Sequence, residues 1–172
     1  MLDEVIITET PPLSFAYGWP GEQVRVPITG NRSKRILHGV INIKTGSVVL
    51  LITEEWNQDT HMAFLKMISS YWRGWRIVIF EDRGAPHKAE ATWELVGELG
   101  LEIRLLPRAT PKLNAMDHLW RHVKGRGLSN RPTQTIDQSA NQACRYLLEM
   151  SPEERLRKAG ILSEDFWLAD LK

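Results

Sequence analysis

Residues 76–105 read RIVIFEDRGAPHKAEATWELVGELGLEIRL. Arg76 to Phe80 is a nearly all-apolar run of strand type and Leu101 to Leu105 is another, with a helical stretch from about Lys88 to Leu99 between them. A strand, a helix and a second strand of this length predict a parallel pair, since antiparallel neighbours need no such crossover.

Working outward, Asp3 to Thr8 reads as a short strand rich in β-branched residues, stopped by Pro11-Pro12. Pro11 to Gly30 carries four Pro and three Gly around Phe15, Tyr17 and Trp19, an irregular arm in which Gln23 to Val26 could form an edge strand. Arg35 to Ile43 and Val48 to Thr53, linked by Lys44-Thr45-Gly46-Ser47, predict an antiparallel hairpin. Gln58 to Arg73 has apolar residues at helical spacing, with Asn57 as cap and Gly74 as terminator. Further helices are expected from about Ala115 to Lys124, from about Ile136 to Met150, and after Ser151-Pro152. The expected fold class is a mixed α/β sandwich, three antiparallel strands followed by parallel ones, with helices on both faces.

The chain has 172 residues, 42 % hydrophobic and 25 % charged, which suits one domain over 1–172 with a helical extension from about 133–172. Cys144 is the single cysteine, so no internal disulfide is expected and a reducing cytoplasm fits. No apolar run approaches the roughly 20 residues of a membrane helix, and no membrane partner is expected. The net charge is only +1, but it is segregated. Residues 1–22 hold four acids and no Lys or Arg, and residues 23–53 hold five bases and no acid. Residues 104–131 hold seven bases against Asp117 alone. Arg32, Lys34 and Arg35 in one stretch and Arg108, Lys112, Arg121, Lys124 and Arg126 in the other are candidates for a DNA-backbone track. Balanced, solvated surfaces are the alternative.

Asp82 follows the buried strand directly, at the strand edge where open α/β sheets bind ligands, although a turn-forming Asp would read the same way. Asp117 stands three residues after Asn114, at the third position of a helix capped by that Asn, where helix-dipole complementarity is the plainer reading. Its face is shared with Arg121 and Lys124, away from the apolar stripe of Met116, Leu119, Trp120 and Val123, and one acid at the mouth of a basic stripe suggests a metal or phosphate site more than a cap. Asp3-Glu4 lies on the first strand. Three carboxylates at one end of a sheet could hold two divalent cations about 3.5–4 Å apart, the arrangement that phosphodiester chemistry uses.

The strings Asp82-Arg83-Gly84-Ala85-Pro86-His87 and Leu106-Pro107 through Pro111-Lys112-Leu113-Asn114-Ala115-Met116-Asp117-His118-Leu119-Trp120 resemble the second and third acidic motifs of mariner-like bacterial insertion-sequence transposases. Gly30 to Gly46, Arg157 to Gly160 and Phe166-Trp167-Leu168 are similar to further parts of that family. The resemblance implies a ribonuclease-H-like domain of DDE or DDD type, with Asp3, Asp82 and Asp117 as catalytic metal ligands for two Mg²⁺, replaceable by Mn²⁺. Glu9 is the alternative first acid, and Glu4, His87 and Asn114 are possible supporting residues. His87 alone also fits a helix cap or surface histidine.

The same resemblance implies hydrolysis and strand transfer at transposon ends, with double-stranded DNA as substrate and target, a homodimer, and a bacterial cytoplasmic site on the nucleoid. Trp19 could stack on a base, reach a partner subunit or fold back. The chain is expected to lack the family's N-terminal helix-turn-helix region and the leading half of its central strand, since it begins two residues before Asp3, and Asn114-Ala115 stands where the family has Asn-Pro. Two other readings stay open: a truncated or frame-split, inactive remnant that retains DNA or partner binding, and a cellular nuclease of the same fold.

Overall fold

The computed structural model describes residues 1–28 and 30–168. Strand β1 (Leu2–Thr8) pairs antiparallel with β2 (Lys34–Ile41), from Leu2 opposite Val40 to Thr8 opposite Lys34. Strand β3 (Val48–Thr53) continues the ladder on the far edge of β2. The hairpin between β2 and β3 is closed by Asn42, whose side chain accepts from the amides of Lys44 and Thr45, with Gly46 at φ 70°. Helix α1 (Gln58–Tyr71) follows, capped by Asn57 and Thr60 in a reciprocal pair of bonds.

Strand β4 (Val78–Glu81) and β5 (Glu102–Leu105) form the expected parallel pair, bridged by α2 (Glu90–Glu98). Strand β4 lies beside β1, so the spatial order is β3, β2, β1, β4, β5, with a regular ladder inside each group of strands. Helix α3 (Ala115–His122) runs on into a π turn over Val123–Leu128, and α4 (Ile136–Glu149) and α5 (Pro152–Lys158) follow. No helix among the described residues is long and apolar enough to cross a membrane.

Alternation along the strands divides the core into two layers. Val5, Ile7, Leu37 and Ile41 face Met116, Leu119 and Trp120 of α3 and Ala140, Ala143 and Leu147 of α4. Leu2, Val40, Val49 and Ile79 face Phe64, Leu65 and Ile68 of α1 and Leu95 and Val96 of α2. Buried Arg155 on α5 donates to the carbonyls of Leu147, Leu148 and Gly46, tying the last helix to the hairpin.

Some boundaries differ from expectation. Strand β4 begins at Val78 and ends on Glu81, so a fully buried acid closes it. The helix expected from Lys88 is broken: Pro86–Lys88 form a 3₁₀ turn, Ala89 is extended, and α2 starts at Glu90. Thr92 fixes that break by donating to the carbonyl of Pro86. No strand forms at Gln23 to Val26; the described part of the segment between β1 and β2 has no regular element. Its base is pinned where Asn130 donates to the carbonyls of Pro12 and Ser14, while Phe15, Tyr17 and Trp19 project into solvent.

Candidate active site

Because side chains alternate on a strand, Asp3 shares the face of Val5 and Ile7 and looks toward α3. Asp82 leaves the C-terminal end of β4, and Asp117 sits in the first turn of α3. All three line one cleft of about 460 Å³, together with Arg83, Lys88, Arg108 and Asn114. The Asp3 carboxyl is pushed up to about 8 by burial and by the charges of Glu4, Asp117 and Asp82. Glu9 is not part of this cleft: it is buried past the end of β1, where it accepts from Asn31 Nδ2 at 3.0 Å.

Each carboxylate is held by its surroundings. Asn114 is buried; its Oδ1 accepts from the Met116 amide, capping α3, and its Nδ2 donates to the Leu2 carbonyl at 2.9 Å. One side chain thus joins the start of α3 to the strand residue preceding Asp3. Gly39, directly opposite Asp3 in the ladder, lets α3 approach: a Cβ there would stand 2.5 Å from the Trp120 ring and 2.6 Å from Met116 Cε. Asp82 Oδ1 accepts from the Gly84 amide at 2.8 Å and faces His87 Nδ1 at 2.8 Å, leaving Oδ2 for a ligand. The His87 bond and the Gly84 amide hold the Asp82 carboxyl below its ordinary value against partial burial. A Cβ on Gly84 would run into the Trp56 ring. Asp117 pairs with Arg121 one turn on.

Glu4 points to the other side of β1, into the layer of α1 and α2. Its Oε1 stands 3.2 Å from His87 Nε2, 3.4 Å from His38 Nδ1 and 3.8 Å from His61 Nδ1, and all three rings are fully buried. Glu81, with no exposed surface, faces His61 Nε2 at 3.6 Å. Burial would raise the Glu4 carboxyl, but the three imidazoles hold it well below its ordinary value. Burial lowers His61 and pushes Glu81 up to about 8. His87 is opposed by burial, yet Asp82 and Glu4 push it up to about 11. His38, His61 and Glu81 were not singled out from the sequence. The adjacent acids at the ends of two neighbouring strands, Asp3-Glu4 and Glu81-Asp82, were the available signal, because adjacent strand residues must face opposite layers.

The candidate DNA-contacting residues are dispersed. Arg108 lines the cleft, and Lys112 is exposed on the 3₁₀ turn before α3. Arg121, Lys124 and Arg126 are exposed along α3 and its π turn, which run from Leu2 at one end to Pro12 at the other. Arg32 and Lys34 are exposed at the far end of β1, about 17 Å along the strand from Asp3. Arg35 is bound to Asp137 at 2.8 Å and Glu54 at 3.3 Å, so its charge is largely committed within the chain.

A family model described as DDE superfamily endonuclease matches residues 1–139. No curated protein matches the chain. Solved structures of the Mos1 transposase share its fold. The Mos1 paired-end complex with the left transposon end aligns at TM-score 0.72 and 18 % identity, over 96 % of this chain and 52 % of that one. The Mos1 mariner paired-end complex with Mn gives 0.72 and 19 %, over 96 % and 52 %. The catalytic domain of Mos1 mariner transposase gives 0.63 and 17 %, over 96 % and 76 %. The chain thus spans about half the length of the transposase chains in those complexes. With its matched region running from the strand that carries Asp3 through the helix that carries Asp117, the chain belongs to the DDE superfamily endonucleases.

Proposed function

We propose that this chain is the catalytic domain of a DNA transposase, with Asp3, Asp82 and Asp117 as the ligands of two Mg²⁺ ions and Mn²⁺ as an acceptable substitute. The observation that carries this reading is the convergence of three carboxylates on one cleft, with Asp3 driven up to about 8 by burial and by its neighbours' charges. Such a cluster takes up a proton when nothing else balances it, and an all-oxygen donor set is what Mg²⁺ prefers. Bound there, the ions would polarise a phosphodiester and favour attack by water or a DNA 3′-hydroxyl.

The chain's own residues would position and neutralise. Asp82 is oriented through Oδ1 by Gly84 and His87, and Asn114 fixes Asp117 relative to β1. Arg108 and Lys88 on the cleft rim would meet the phosphates of the scissile strand, and Arg121, Lys124 and Arg126 would continue the contact along α3. Double-stranded transposon ends and target DNA are the proposed substrates. The exposed Phe15, Tyr17 and Trp19 favour an arm that packs on a second copy in a homodimer.

The test is nicking and end joining on DNA carrying the element's terminal sequences, with Mg²⁺ or Mn²⁺, by this chain and by Asp82→Ala and Asp117→Ala. Loss of both reactions in each variant, with DNA binding retained, is expected. Cleavage unchanged in either variant removes the metal-site assignment.

A further inference from the structure

We propose that Glu4, His61 and His87, with His38 beside them, form a second metal site for a zinc-type ion, buried on the side of β1 opposite the cleft. The proposal does not rest on the transposase reading. One ligand atom from each of Glu4, His61 and His87 lies within 4.8 Å of the others. The distances from Glu4 Oε1 to the facing ring nitrogens, 3.2, 3.4 and 3.8 Å, bracket the ligand-to-ligand separation of about 3.3 Å that a tetrahedron with zinc bonds of about 2.0–2.1 Å requires.

The tautomers make the case stronger. The Thr53 hydroxyl gives its proton to the Glu55 carbonyl at 2.8 Å, so at 3.0 Å it can only accept from His38 Nε2. His38, when neutral, therefore turns a bare Nδ1 lone pair toward Glu4. His87 Nδ1 faces two acceptors, the Asp82 carboxylate at 2.8 Å and the Asp82 carbonyl at 3.2 Å, so it donates, and Nε2 is the nitrogen that points at Glu4. His61 repeats the pattern: its Nε2 faces the Glu81 carboxylate and its Nδ1 faces Glu4. Three ring nitrogens and a carboxylate oxygen thus converge in one buried space, a donor set that a cation can bridge.

Orphaned groups point the same way. Both ring nitrogens of His61, both oxygens of Glu81 and Nδ1 of His38 are buried without a hydrogen-bond partner among the described residues. An ion between Glu4 and the imidazoles would occupy His61 Nδ1 and His38 Nδ1. It would also hold the second ring nitrogens to Asp82, Thr53 and Glu81, the outer-shell arrangement that metal-bound histidines adopt. Nitrogen-rich ligands select zinc or a similar transition ion over Mg²⁺, so the two sites would take different metals.

The experiment loads the purified full chain with Zn²⁺, strips loosely held ions on a chelating resin and measures retained metal by elemental analysis. About one zinc per chain is expected to stay, to persist in Asp117→Asn, which alters only the cleft, and to be lost in His61→Phe. Zinc retained by His61→Phe, zinc lost from Asp117→Asn, or no zinc held by the folded unaltered chain overturns the proposal. Should His61→Phe not fold, Co²⁺ in the unaltered chain decides: an intense tetrahedral d–d spectrum supports the site, and a weak octahedral one overturns it.

Discussion

Asp3 and Glu4 are neighbours on one strand, both largely shielded from water, and their carboxyls are driven in opposite directions. Asp3 faces a cleft whose nearest charges are other carboxylates, and it is pushed up to about 8. Glu4 faces three imidazoles and stays ionised. Burial penalises both; what differs is whether the protein supplies the opposing partners. One face of β1 leaves its negative charge for something that arrives from solution, and the other surrounds it with ring nitrogens. Chemistry belongs on the first face and rigidity on the second, with His87 touching both through Asp82 and Glu4.

The sharpest way to break this contrast is a pair of charge removals. Glu4→Gln takes the carboxylate from the centre of a buried cluster, and a loss of about 3–5 kcal/mol in urea unfolding is expected, as for other broken buried pairs. Asp3→Asn relieves repulsion, so at neutral pH without divalent cations it is expected to unfold no more easily than the unaltered chain while losing all Mg²⁺-dependent cleavage. Equal destabilisation by the two variants would show that the faces are not differently balanced.

Gly39 ties the faces to the helix layer. Gly39→Val would drive a branched side chain into Trp120 and Met116, at an expected cost of about 2–3 kcal/mol. Because α3 carries Asp117, the same variant should weaken Mg²⁺ binding measured by calorimetry. A stability loss with unchanged Mg²⁺ affinity would mean that the helix does not set the cleft.

These three variants also mark what could be read in the chain. Asp82 and Asp117 stood out because each lies in a recognisable string, at the end of a strand or in the first turn of a helix, and Asn114 because a cap must precede a helix. The parallel pair and the hairpin followed from apolar periodicity and turn residues. Gly39 gave no such sign, since the close approach it permits belongs to a helix almost eighty residues later. His38 and His61 sit singly inside apolar patterns, where a lone histidine reads as filler; only the fold gathers them around Glu4. The two basic stretches looked like one surface, whereas Arg32 and Lys34 lie at the far end of β1 from the cleft and Arg35 is spent on Asp137 and Glu54.

A pH series tests the open face more gently. Asp3 near 8 lies above its ordinary value of 3.8, so between those pH values the folded chain keeps a proton that the unfolded chain has released. Stability from this group therefore falls as pH rises from about 4 to about 8, and Glu81 adds to the same slope. Asp82 and Glu4 have the opposite sign and lose their contribution only on acidification below the ordinary carboxyl range. Mg²⁺ replaces the proton on Asp3, so its stabilising effect should be larger at pH 8.5 than at pH 5.5, by about 2–4 °C in Tm. An equal effect at both values would place the ion away from Asp3.

The smallest expected effect separates the two jobs of Asn114. Its Oδ1 caps α3 and its Nδ2 anchors that helix to the Leu2 carbonyl beside Asp3. Asn114→Ser keeps an oxygen for the cap and removes the anchor, whereas Asn114→Ala removes both. Losing the cap costs about 1 kcal/mol, and leaving the buried Leu2 carbonyl unpaired costs about as much again. Asn114→Ser is therefore expected to lose about 1 kcal/mol and Asn114→Ala about 2 kcal/mol in urea unfolding. Mg²⁺ affinity should fall by similar factors in both, because both lose the anchor that ties α3 to the strand residue beside Asp3. If Asn114→Ser keeps full Mg²⁺ affinity while Asn114→Ala loses it, the first turn of α3 sets the open face by its own rigidity, and the tie to β1 is dispensable.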